Sequence, residues 1–373
     1  MKIESIEVIP LNLPFKTEFK ISRGSVGGPK AGAPHAYIRV VADGISGWGE
    51  ARPSPRWSYE TLESVVTSIR KYLAPALIGL DAEDLDAIHN VMDQVIAPGI
   101  TVGQPIAKSG IDMALHDIIC KRKGIPLYKY FSKSSSKLVN LSFLTTVDSP
   151  NKAEEVTAEA LKAGYRGFKV KIGMDPSLDL DILRAVKHVA GNCFLWADAN
   201  QAYSVDIAIQ RSKDMAKIGV DVLEQPVPAN DFLALQELVA KSAIPIAVDE
   251  SVFSLGDLEQ LIRMKALNFI VIKVSKMAGL TGARRCIERA LDAGVGLLGS
   301  GLTETRLGLA ASAHLYSAFG FEYPADLNGP QFLADDPVKG GIVIERGAVI
   351  LSEAAGIGVD VDEIKLGQYA IQI

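Results

Sequence analysis

Cysteine is scarce in this sequence, which has three among its 373 residues. Cys120, Cys193 and Cys286 lie far apart, and none belongs to a Cys-x-x-Cys pair. An odd, scattered set of this kind argues against a disulfide framework and against a cysteine metal site, and it is typical of reduced thiols in the cytoplasm. We therefore predict a cytoplasmic protein that depends on neither disulfide bonds nor thiol chemistry.

Long apolar runs and an excess of positive charge are also missing. No apolar stretch approaches the length of a membrane span, and the N-terminus has no apolar segment of the secretory type. The formal net charge is −5, whereas a nucleic-acid-binding domain shows a basic patch or stripe. We therefore expect neither a membrane nor a nucleic acid as a partner.

The first third of the chain combines strand and helix patterns. Two stretches with the alternation of strands, "KIESIEVIPLNL" and "AYIRVVADGISGWGEA", flank a glycine-rich loop at residues 20–34, and the second contains an Asp43-Gly44 turn. Helical patterns follow at residues 58–77, 84–96 and 105–121. We predict an α+β domain over residues 1–125.

From about residue 138 the sequence changes to short apolar segments, each followed by a helical stretch. Eight such segments occur in series, and residues near the ends of the second to sixth recur at intervals of 24 to 27. A repeat of this length is one strand–helix unit, and eight units predict an α/β fold of the (β/α)8-barrel type. We place the barrel at residues 126–335 and expect the tail, residues 336–373, to pack back against the N-terminal domain.

Charged side chains stand at the carboxyl ends of five consecutive predicted strands. In chain order they are Lys169 and Lys171, Asp198, Glu224, Asp249, and Lys273. The carboxyl ends of barrel strands converge at one mouth, where the catalytic groups of such barrels lie. Each motif alone is an ordinary strand or helix-cap pattern, so it is the ordered set that indicates an active site.

Three carboxylates at one barrel mouth repel one another, so a positive charge must neutralise them. Asp198, Glu224 and Asp249, completed by water or substrate oxygens, suit an octahedral Mg²⁺ ion. We predict this cofactor, with Mn²⁺ as a substitute. Lys171 and Lys273 flank the cluster, and a lysine near a cation and a second lysine is expected to have a lowered pKa. Such a lysine can act as a general base near neutral pH.

These motifs resemble those of the enolase superfamily, and more narrowly its muconate-lactonizing-enzyme subgroup, along essentially the whole chain. The similarity rests on "FKVKIG", "DAN", "EQP", "DES" and "IKVSKMAGL" at the strand ends, and on "GWGEA", "AKSGIDMALHDI" and "GSGLTETRLG" elsewhere. The subgroup includes muconate cycloisomerases, dipeptide epimerases and N-acylamino acid racemases. The resemblance implies a modified barrel, a capping domain that carries the lid and is completed by the C-terminal tail, and a homo-oligomer.

The resemblance also implies roles for the polar residues. The three carboxylates would bind Mg²⁺, and Lys171 and Lys273 would be acid/base catalysts on opposite faces of the substrate α-carbon, which is the documented chemistry of that superfamily. Lys169 would assist the metal-stabilised enolate. The remaining candidates are Asn200 and Glu304 as supports behind the site and, for substrate binding, Trp57, Ser300, Asp326 and Asn328.

The end of the eighth predicted strand bears on the choice of substrate. Dipeptide epimerases of the subgroup carry Asp-x-Asp there to hold an ammonium group, whereas this chain has Asp326 and Asn328, so one negative charge is missing. We expect a racemase or epimerase of a small-molecule carboxylate, either an amino-acid derivative or a dipeptide such as L-Ala-D/L-Glu. The alternatives are a muconate-type cycloisomerase and, from another class, a non-catalytic barrel that binds a metal or ligand.

Overall fold

The predicted N-terminal strands form an antiparallel sheet, and the glycine-rich loop between them folds as a hairpin. The computed structural model describes residues 1–99, 102–132 and 136–373. Its first strands are β1 (Ile3–Leu13), β2 (Phe19–Ile21), β3 (Gly24–Gly27), β4 (Ala33–Ala42) and β5 (Ile45–Ala51). β4 pairs with both β1 and β5, and β2 pairs with β3. We call β2 and β3 the lid hairpin. Asp43 and Gly44 have positive φ, 47° and 73°, as the predicted tight turn requires.

Helices follow close to where the periodicity predicts them. They are α1 (Leu62–Ser68), α2 (Ala74–Leu77), α3 (Leu85–Val95), α4 (Pro105–Lys123) and α5 (Leu127–Phe131), with a π-helical turn at Ile69–Leu73. α4 is buried along most of its length because it lies between the sheet and the barrel. A Cβ atom on Gly49 would stand 2.0 Å from the Gly110 carbonyl oxygen, so this close approach requires glycine in the "GWGEA" motif.

The repeated apolar segments form a curled parallel sheet whose strands neighbour one another in chain order. After β6 (Leu138–Asn140), the strands are β7 (Ser142–Thr145), β8 (Gly167–Lys171), β9 (Phe194–Asp198), β10 (Val222–Glu224), β11 (Ile246–Val248), β12 (Phe269–Ile272) and β13 (Gly296–Gly299). The helices after β7 to β13 are α6 (Pro150–Lys162), α7 (Asp179–Ala190), α8 (Val205–Ile218), α9 (Phe232–Lys241), α10 (Leu255–Met264), α11 (Leu280–Asp292) and α12 (Arg306–Ala318).

The eighth predicted segment, "GFEYPADL", is not a regular strand, yet it closes the barrel. Ala325 bridges to Leu141 before β7, and Asp326 bridges to Ser300 after β13. Asp326 N donates to Gly299 O at 2.8 Å. Pro324 directly precedes this pair and has no N–H to continue a ladder. The fold is therefore the predicted (β/α)8-type barrel joined to an α+β capping domain, with two residues in the eighth strand position.

The C-terminal tail contacts both parts of the molecule. After α13 (Gly329–Phe332), it contains β14 (Val338–Lys339), β15 (Val343–Glu345), β16 (Ala348–Ile350), β17 (Asp360–Val361) and α14 (Glu363–Tyr369). β16 pairs with β6, whereas α14 packs on β1, and Ile371 N donates to Pro10 O at 2.9 Å. The domain boundaries at residues 125 and 335 stay a prediction.

Apolar side chains fill the barrel and the space between its sheet and the outer helices. Inside the barrel a fully buried cluster lies below the polar mouth, formed by Trp196, Val222, Ala247, Val271 and Leu298. The polar side chains collected at the mouth therefore lie above a buried apolar layer.

Across residues 1–99, 102–132 and 136–373, no helix has the length and apolar character needed to cross a membrane.

His314 connects α12 to the segments around α5 and the tail. Its Nδ1 accepts from Tyr128 N at 3.2 Å, and its Nε2 lies 3.0 Å from Ile357 O, to which the neutral ring can donate. A second proton would replace the acceptor that Tyr128 N–H needs with another donor. Burial lowers the pKa of His314 to about 4.

We predict that the free energy of unfolding falls as the pH drops below about 6.5, the pKa of histidine in an unfolded chain. Because the pKa of His314 is lower in the folded state, the unfolded chain takes up the proton first. At about pH 5 this residue alone should cost about 2 kcal/mol. Urea unfolding at about pH 7.5 and about pH 5 measures the loss.

His314→Gln should remove that part of the pH dependence, because glutamine offers a donor and an acceptor but does not titrate. His188→Gln, an exposed position on α7, is the matched control and should behave like the wild type. The same pH dependence in the wild type and in the His314→Gln variant would contradict the assignment.

Candidate active site

The predicted strand-end residues meet at the barrel mouth because of the parallel register. Lys171 lies opposite Asp198, and Asp198 lies opposite Glu224. Asp249 and Lys273 directly follow β11 and β12. All five side chains are buried, as is Lys169. The fold therefore brings these side chains together at the barrel mouth, where the sequence predicts them.

Lys169 stands among three carboxylates. Its Nζ lies 2.9 Å from Glu224 Oε2, 3.2 Å from Asp198 Oδ2 and 3.1 Å from Asp326 Oδ2. The same ammonium is 4.4 Å from the centre of the Trp196 ring below it. Burial alone would lower the pKa of Lys169, but the three carboxylates outweigh burial and hold that pKa well above its usual range.

The two flanking lysines are each bound to a carboxylate of the cluster. Lys171 Nζ lies 2.5 Å from Asp198 Oδ2 and donates to Asn200 Oδ1 at 2.9 Å. Lys273 Nζ lies 2.6 Å from Asp249 Oδ2. Burial works to lower the pKa of Lys273, but the charge of Asp249 outweighs it, so the pKa is raised. The lowering predicted from the sequence assumes a cation bound beside the lysine, so it stays a prediction.

The predicted metal ligands have the chemistry of a divalent-cation site. Asp198, Glu224 and Asp249 are fully buried, and both oxygens of Glu224 lie within 3.0 Å of one ammonium, that of Lys169. Burial and the charge of Asp198 act to raise the pKa of Glu224, and the ammonium of Lys169 acts to lower it. Three buried carboxylates gathered at one mouth are a set of oxygen donors that suits a hard cation.

Ammonium groups, however, stand where those carboxylates face one another. As the side chains lie, no three Asp, Glu, His or Cys residues in the described part of the chain form a group that could hold an ion. Cation binding at this mouth therefore requires the lysines to withdraw from the carboxylates that they now contact.

Lys276 is a member of this network that the sequence analysis missed. It is fully buried, and its Nζ donates to Asp249 O at 2.6 Å and to Asp249 Oδ1 at 2.8 Å. The other oxygen, Oδ2, is the one that contacts Lys273. The only signal in the sequence is the three-residue spacing from Lys273, which a turn at Ser275–Met277 brings to the same carboxylate.

Asn200 and Glu304, the predicted supports, are both held in the network. Asn200 Nδ2 donates to Glu250 Oε1 at 3.1 Å, so this amide links Glu250 to the ammonium of Lys171. Glu304 accepts from Ser275 Oγ at 2.7 Å and from Leu302 N at 2.6 Å. Glu304 therefore ties together the loops that follow β12 and β13.

Asp326 and Asn328 form a closed set of hydrogen bonds at the eighth strand position. Asp326 accepts from Ser300 Oγ at 3.1 Å and from Asn328 Nδ2 at 2.8 Å. Asn328 Oδ1 accepts in turn from Thr303 Oγ1 at 2.8 Å. Because Asp326 also contacts Lys169, its charge is already matched by a cation of the protein itself.

A small cavity of about 30 Å³ separates Lys171 from Lys273. The ring of Trp57 lines it, 4.3 Å from Lys273 Nζ. Phe19, Ile21 and Val26 of the lid hairpin cover it, and Arg52 and Asp326 also reach it. This volume holds about one water molecule, so groups that line the cavity have to move before an organic acid can bind.

Family models and known relatives match both parts of this chain. The family model of the mandelate racemase/muconate lactonizing enzyme N-terminal domain matches residues 5–131, and that of the enolase C-terminal domain-like family matches residues 152–365. D-Ala-D/L-Ala epimerase from Cytophaga hutchinsonii is 31% identical over 96% of this chain and 95% of its own. Chloromuconate cycloisomerase from Cupriavidus necator is 29% identical over 99% of each chain.

Among solved structures, a dipeptide epimerase from Cytophaga hutchinsonii complexed with Mg and the dipeptide D-Ala-L-Val superposes with a TM-score of 0.91. The identity is 30%, and the match covers 99% of this chain and 98% of that one. The similarity therefore extends through the capping domain and the barrel together.

We predict that Lys169→Met is strongly destabilising. The substitution removes the ammonium that three buried carboxylates share, so the free energy of unfolding should fall by about 3–5 kcal/mol. Urea unfolding with a chelator present measures the change. Lys152→Met, which removes an exposed lysine paired with Glu155 on α6, should change it by less than about 1 kcal/mol. Equal stability of the two variants would show that Lys169 does not neutralise the cluster.

Proposed function

The chain belongs to the mandelate racemase/muconate lactonizing enzyme family of the enolase superfamily and is an isomerase, and from that premise we propose that it removes and returns the proton on the carbon next to a carboxylate. The substrate would be an amino-acid derivative or a dipeptide, so the reaction would be racemisation or epimerisation. The observation that carries the proposal is that Lys171 and Lys273 reach the same cavity from strands four places apart in the sheet.

Four places in an eight-place barrel are half a turn, so the two lysines approach from opposite sides of the mouth. A substrate held between them would offer one face of its α-carbon to each Nζ. One lysine takes the proton, and the other returns a proton to the opposite face, which inverts the centre. Trp57, against Lys273, and Trp196, under Lys169, restrict where those ammonium groups can go.

Asp198, Glu224 and Asp249 would hold the divalent cation, Mg²⁺ with Mn²⁺ as a substitute. When bound, the cation supplies positive charge that stabilises the carboxylate oxygens as the α-proton leaves. Lys169, which now contacts Glu224 and Asp198, would have to shift away from them when the cation binds, and it would place a further positive charge next to the substrate carboxylate. The Cytophaga hutchinsonii dipeptide epimerase structure, which contains Mg and a dipeptide, supports this assignment.

We expect the wild-type protein, supplied with Mg²⁺ in D₂O, to exchange the α-proton of both stereoisomers of its substrate. Lys171→Met should abolish exchange in one stereoisomer and Lys273→Met in the other, since each variant keeps the lysine on one face. Each should lose net isomerisation by at least about 100-fold. Proton NMR of a panel of dipeptides and N-acyl amino acids measures the exchange, with Lys152→Met as the control.

If no member of a broad panel exchanged with the wild-type protein, racemisation and epimerisation would be wrong. If both stereoisomers still exchanged in each variant, the assignment of one lysine to each face would be wrong, although the reaction class would stand.

Mg²⁺ should raise the melting temperature of the wild-type protein, because a ligand that binds only the folded state stabilises it by about 2.7 kcal/mol at one hundred times its dissociation constant. Glu224→Gln should abolish this rise and the isomerase activity together. Glu237→Gln, an exposed position on α9, should keep both. A rise that survives in Glu224→Gln would place the ion elsewhere.

A muconate-type cycloisomerase is the second candidate. It is supported by the 29% identity to chloromuconate cycloisomerase over nearly the full length of both chains. In that reaction one lysine exchanges a proton next to the carboxylate of a conjugated diene acid. Loss of ultraviolet absorption by such an acid on mixing, without α-proton exchange in the dipeptide panel, would favour it. From its composition and charge we also infer a cytoplasmic protein with neither nucleic acid nor membrane as a partner, and from the family resemblance a homo-oligomer.

A further inference from the structure

Two buried lysines divide the carboxylate of Asp249 between them. Lys273 Nζ lies 2.6 Å from Oδ2, whereas Lys276 Nζ donates to Oδ1 at 2.8 Å. Lys276 also donates to the main-chain oxygen of Asp249 at 2.6 Å. It therefore holds this aspartate at two points, whereas Lys273 holds it at one.

The surroundings of the two lysines differ as well. Lys273 lines the cavity that separates it from Lys171, so it borders the space that a substrate would enter. Lys276 is fully buried and is not among the described residues that line this cavity. The turn that carries Lys276 packs against α4, and Ser275 in this turn donates to Glu304 at 2.7 Å. Lys276 is thus fixed behind Asp249, whereas Lys273 stands in front of it.

The main chain of Asp249 has a holder of its own. Gln225 is fully buried, and its Oε1 accepts from Asp249 N at 2.9 Å and from Ser251 N at 3.2 Å. These bonds join the segment after β11 to the end of β10. The position of the Asp249 main chain therefore does not depend on Lys276 alone, and the specific contribution of Lys276 is the orientation of the carboxylate.

Asp198 shows the same division between its two oxygens. Its Oδ1 accepts from Asn200 N at 2.9 Å, and a main-chain donor of this kind stays in place. Its Oδ2 lies 2.5 Å from Lys171 Nζ and 3.2 Å from Lys169 Nζ. In both aspartates, one oxygen has a fixed donor and the other faces ammonium groups that a cation would have to replace.

We propose that Lys276 is a positioning residue for the cation: it stays on Asp249 Oδ1 when Lys273 withdraws, so that only Oδ2 is presented to the ion. This inference rests on the proposed function, which makes Asp249 a cation ligand. Groups that orient a metal ligand from behind commonly contribute a factor of roughly 10 to 100 to metal affinity. Here that group would be an ammonium, which differs from the other three lysines because it does not leave.

An effect of charge alone would have the opposite sign. An ammonium close to the site repels a divalent cation, so the loss of either lysine on Asp249 would strengthen cation binding if only charge mattered. Loss of orientation weakens binding instead, because the freed carboxylate of Asp249 can turn and give both oxygens to Lys273. The sign of the change therefore distinguishes a positioning role from a purely electrostatic one.

Binding of Mn²⁺ alone tests the proposal, with electron paramagnetic resonance to measure the free ion. Lys276→Met should weaken Mn²⁺ binding by roughly 10-fold to 100-fold. Lys273→Met removes the ammonium from the other oxygen of the same carboxylate, and it should bind Mn²⁺ at least as tightly as the wild type. Lys152→Met, the exposed control on α6, should bind Mn²⁺ like the wild type.

A folded Lys276→Met variant that binds Mn²⁺ as tightly as the wild type, or more tightly, would overturn the inference. If that variant does not fold, Lys276→Gln decides. Its amide is shorter and uncharged, so Mn²⁺ binding should again be weaker than in the wild type, and unchanged or tighter binding would refute the role of Lys276.

A crystal structure of the wild-type protein with Mn²⁺ provides a measurement that depends on no variant. Lys276 Nζ should remain within hydrogen-bonding distance of Asp249 Oδ1, while Lys273 Nζ has moved away from Oδ2. An ion bound to Oδ1, or a Lys276 that has left this carboxylate, would contradict the proposal.

Mn²⁺ binding needs no turnover, so it separates this inference from the proposed function. Failure of α-proton exchange with every compound, together with weakened Mn²⁺ binding in Lys276→Met, would overturn only the reaction. Exchange by the wild-type protein, together with unchanged Mn²⁺ binding in Lys276→Met, would overturn only the role of Lys276. A wild-type protein that binds no Mn²⁺ would overturn both this role and the cation site.

Discussion

Direct pairing between buried ammonium groups and buried carboxylates is the constraint on which this barrel mouth depends. Lys169, Lys171, Lys273 and Lys276 are each within 3.2 Å of an oxygen of Asp198, Glu224 or Asp249. Neither set could be buried without the other. The same carboxylates are the candidate cation ligands, so they serve two kinds of positive charge. A lysine released by its carboxylate loses the charge that raises its pKa, and burial then favours the neutral amine that a general base requires.

The capping domain completes the site because buried carboxylates fasten it to the barrel. Glu50, in β5, accepts from Thr305 N and Gly308 N at 2.9 Å, at the start of α12. Asp112, in α4, accepts from Thr281 N at 3.2 Å, at the start of α11. Both helix starts lie at the barrel mouth, where unsatisfied N–H groups attract acceptors. Arg52 follows Glu50 by two residues, so its position in the cavity is fixed by an anchor that is itself part of the barrel contact.

The sequence allowed the strand-end residues to be predicted because a periodic repeat locates strand ends, and barrel geometry then brings them together. The eighth strand position was also predicted, but the sequence did not indicate that two bridging residues after Pro324 occupy it instead of a regular strand. Nor could it predict which lysine contacts which carboxylate, since that pairing depends on side-chain packing. Arg52 was missed for a related reason: a single arginine in a loop has no pattern, and only the tertiary structure reveals that it is buried at the cavity.

The polar groups around Asp326 bear on what the site selects. An Asp-x-Asp pair at this place would present two negative charges to an ammonium group. Here the second position is Asn328, whose amide donates to Asp326, and Lys169 neutralises the remaining charge. The charge of Asp326 is thus already matched within the protein. A dipeptide that places its amine beside Asp326 would have to take the position of Lys169, whereas an N-acyl amino acid has no ammonium group to place there.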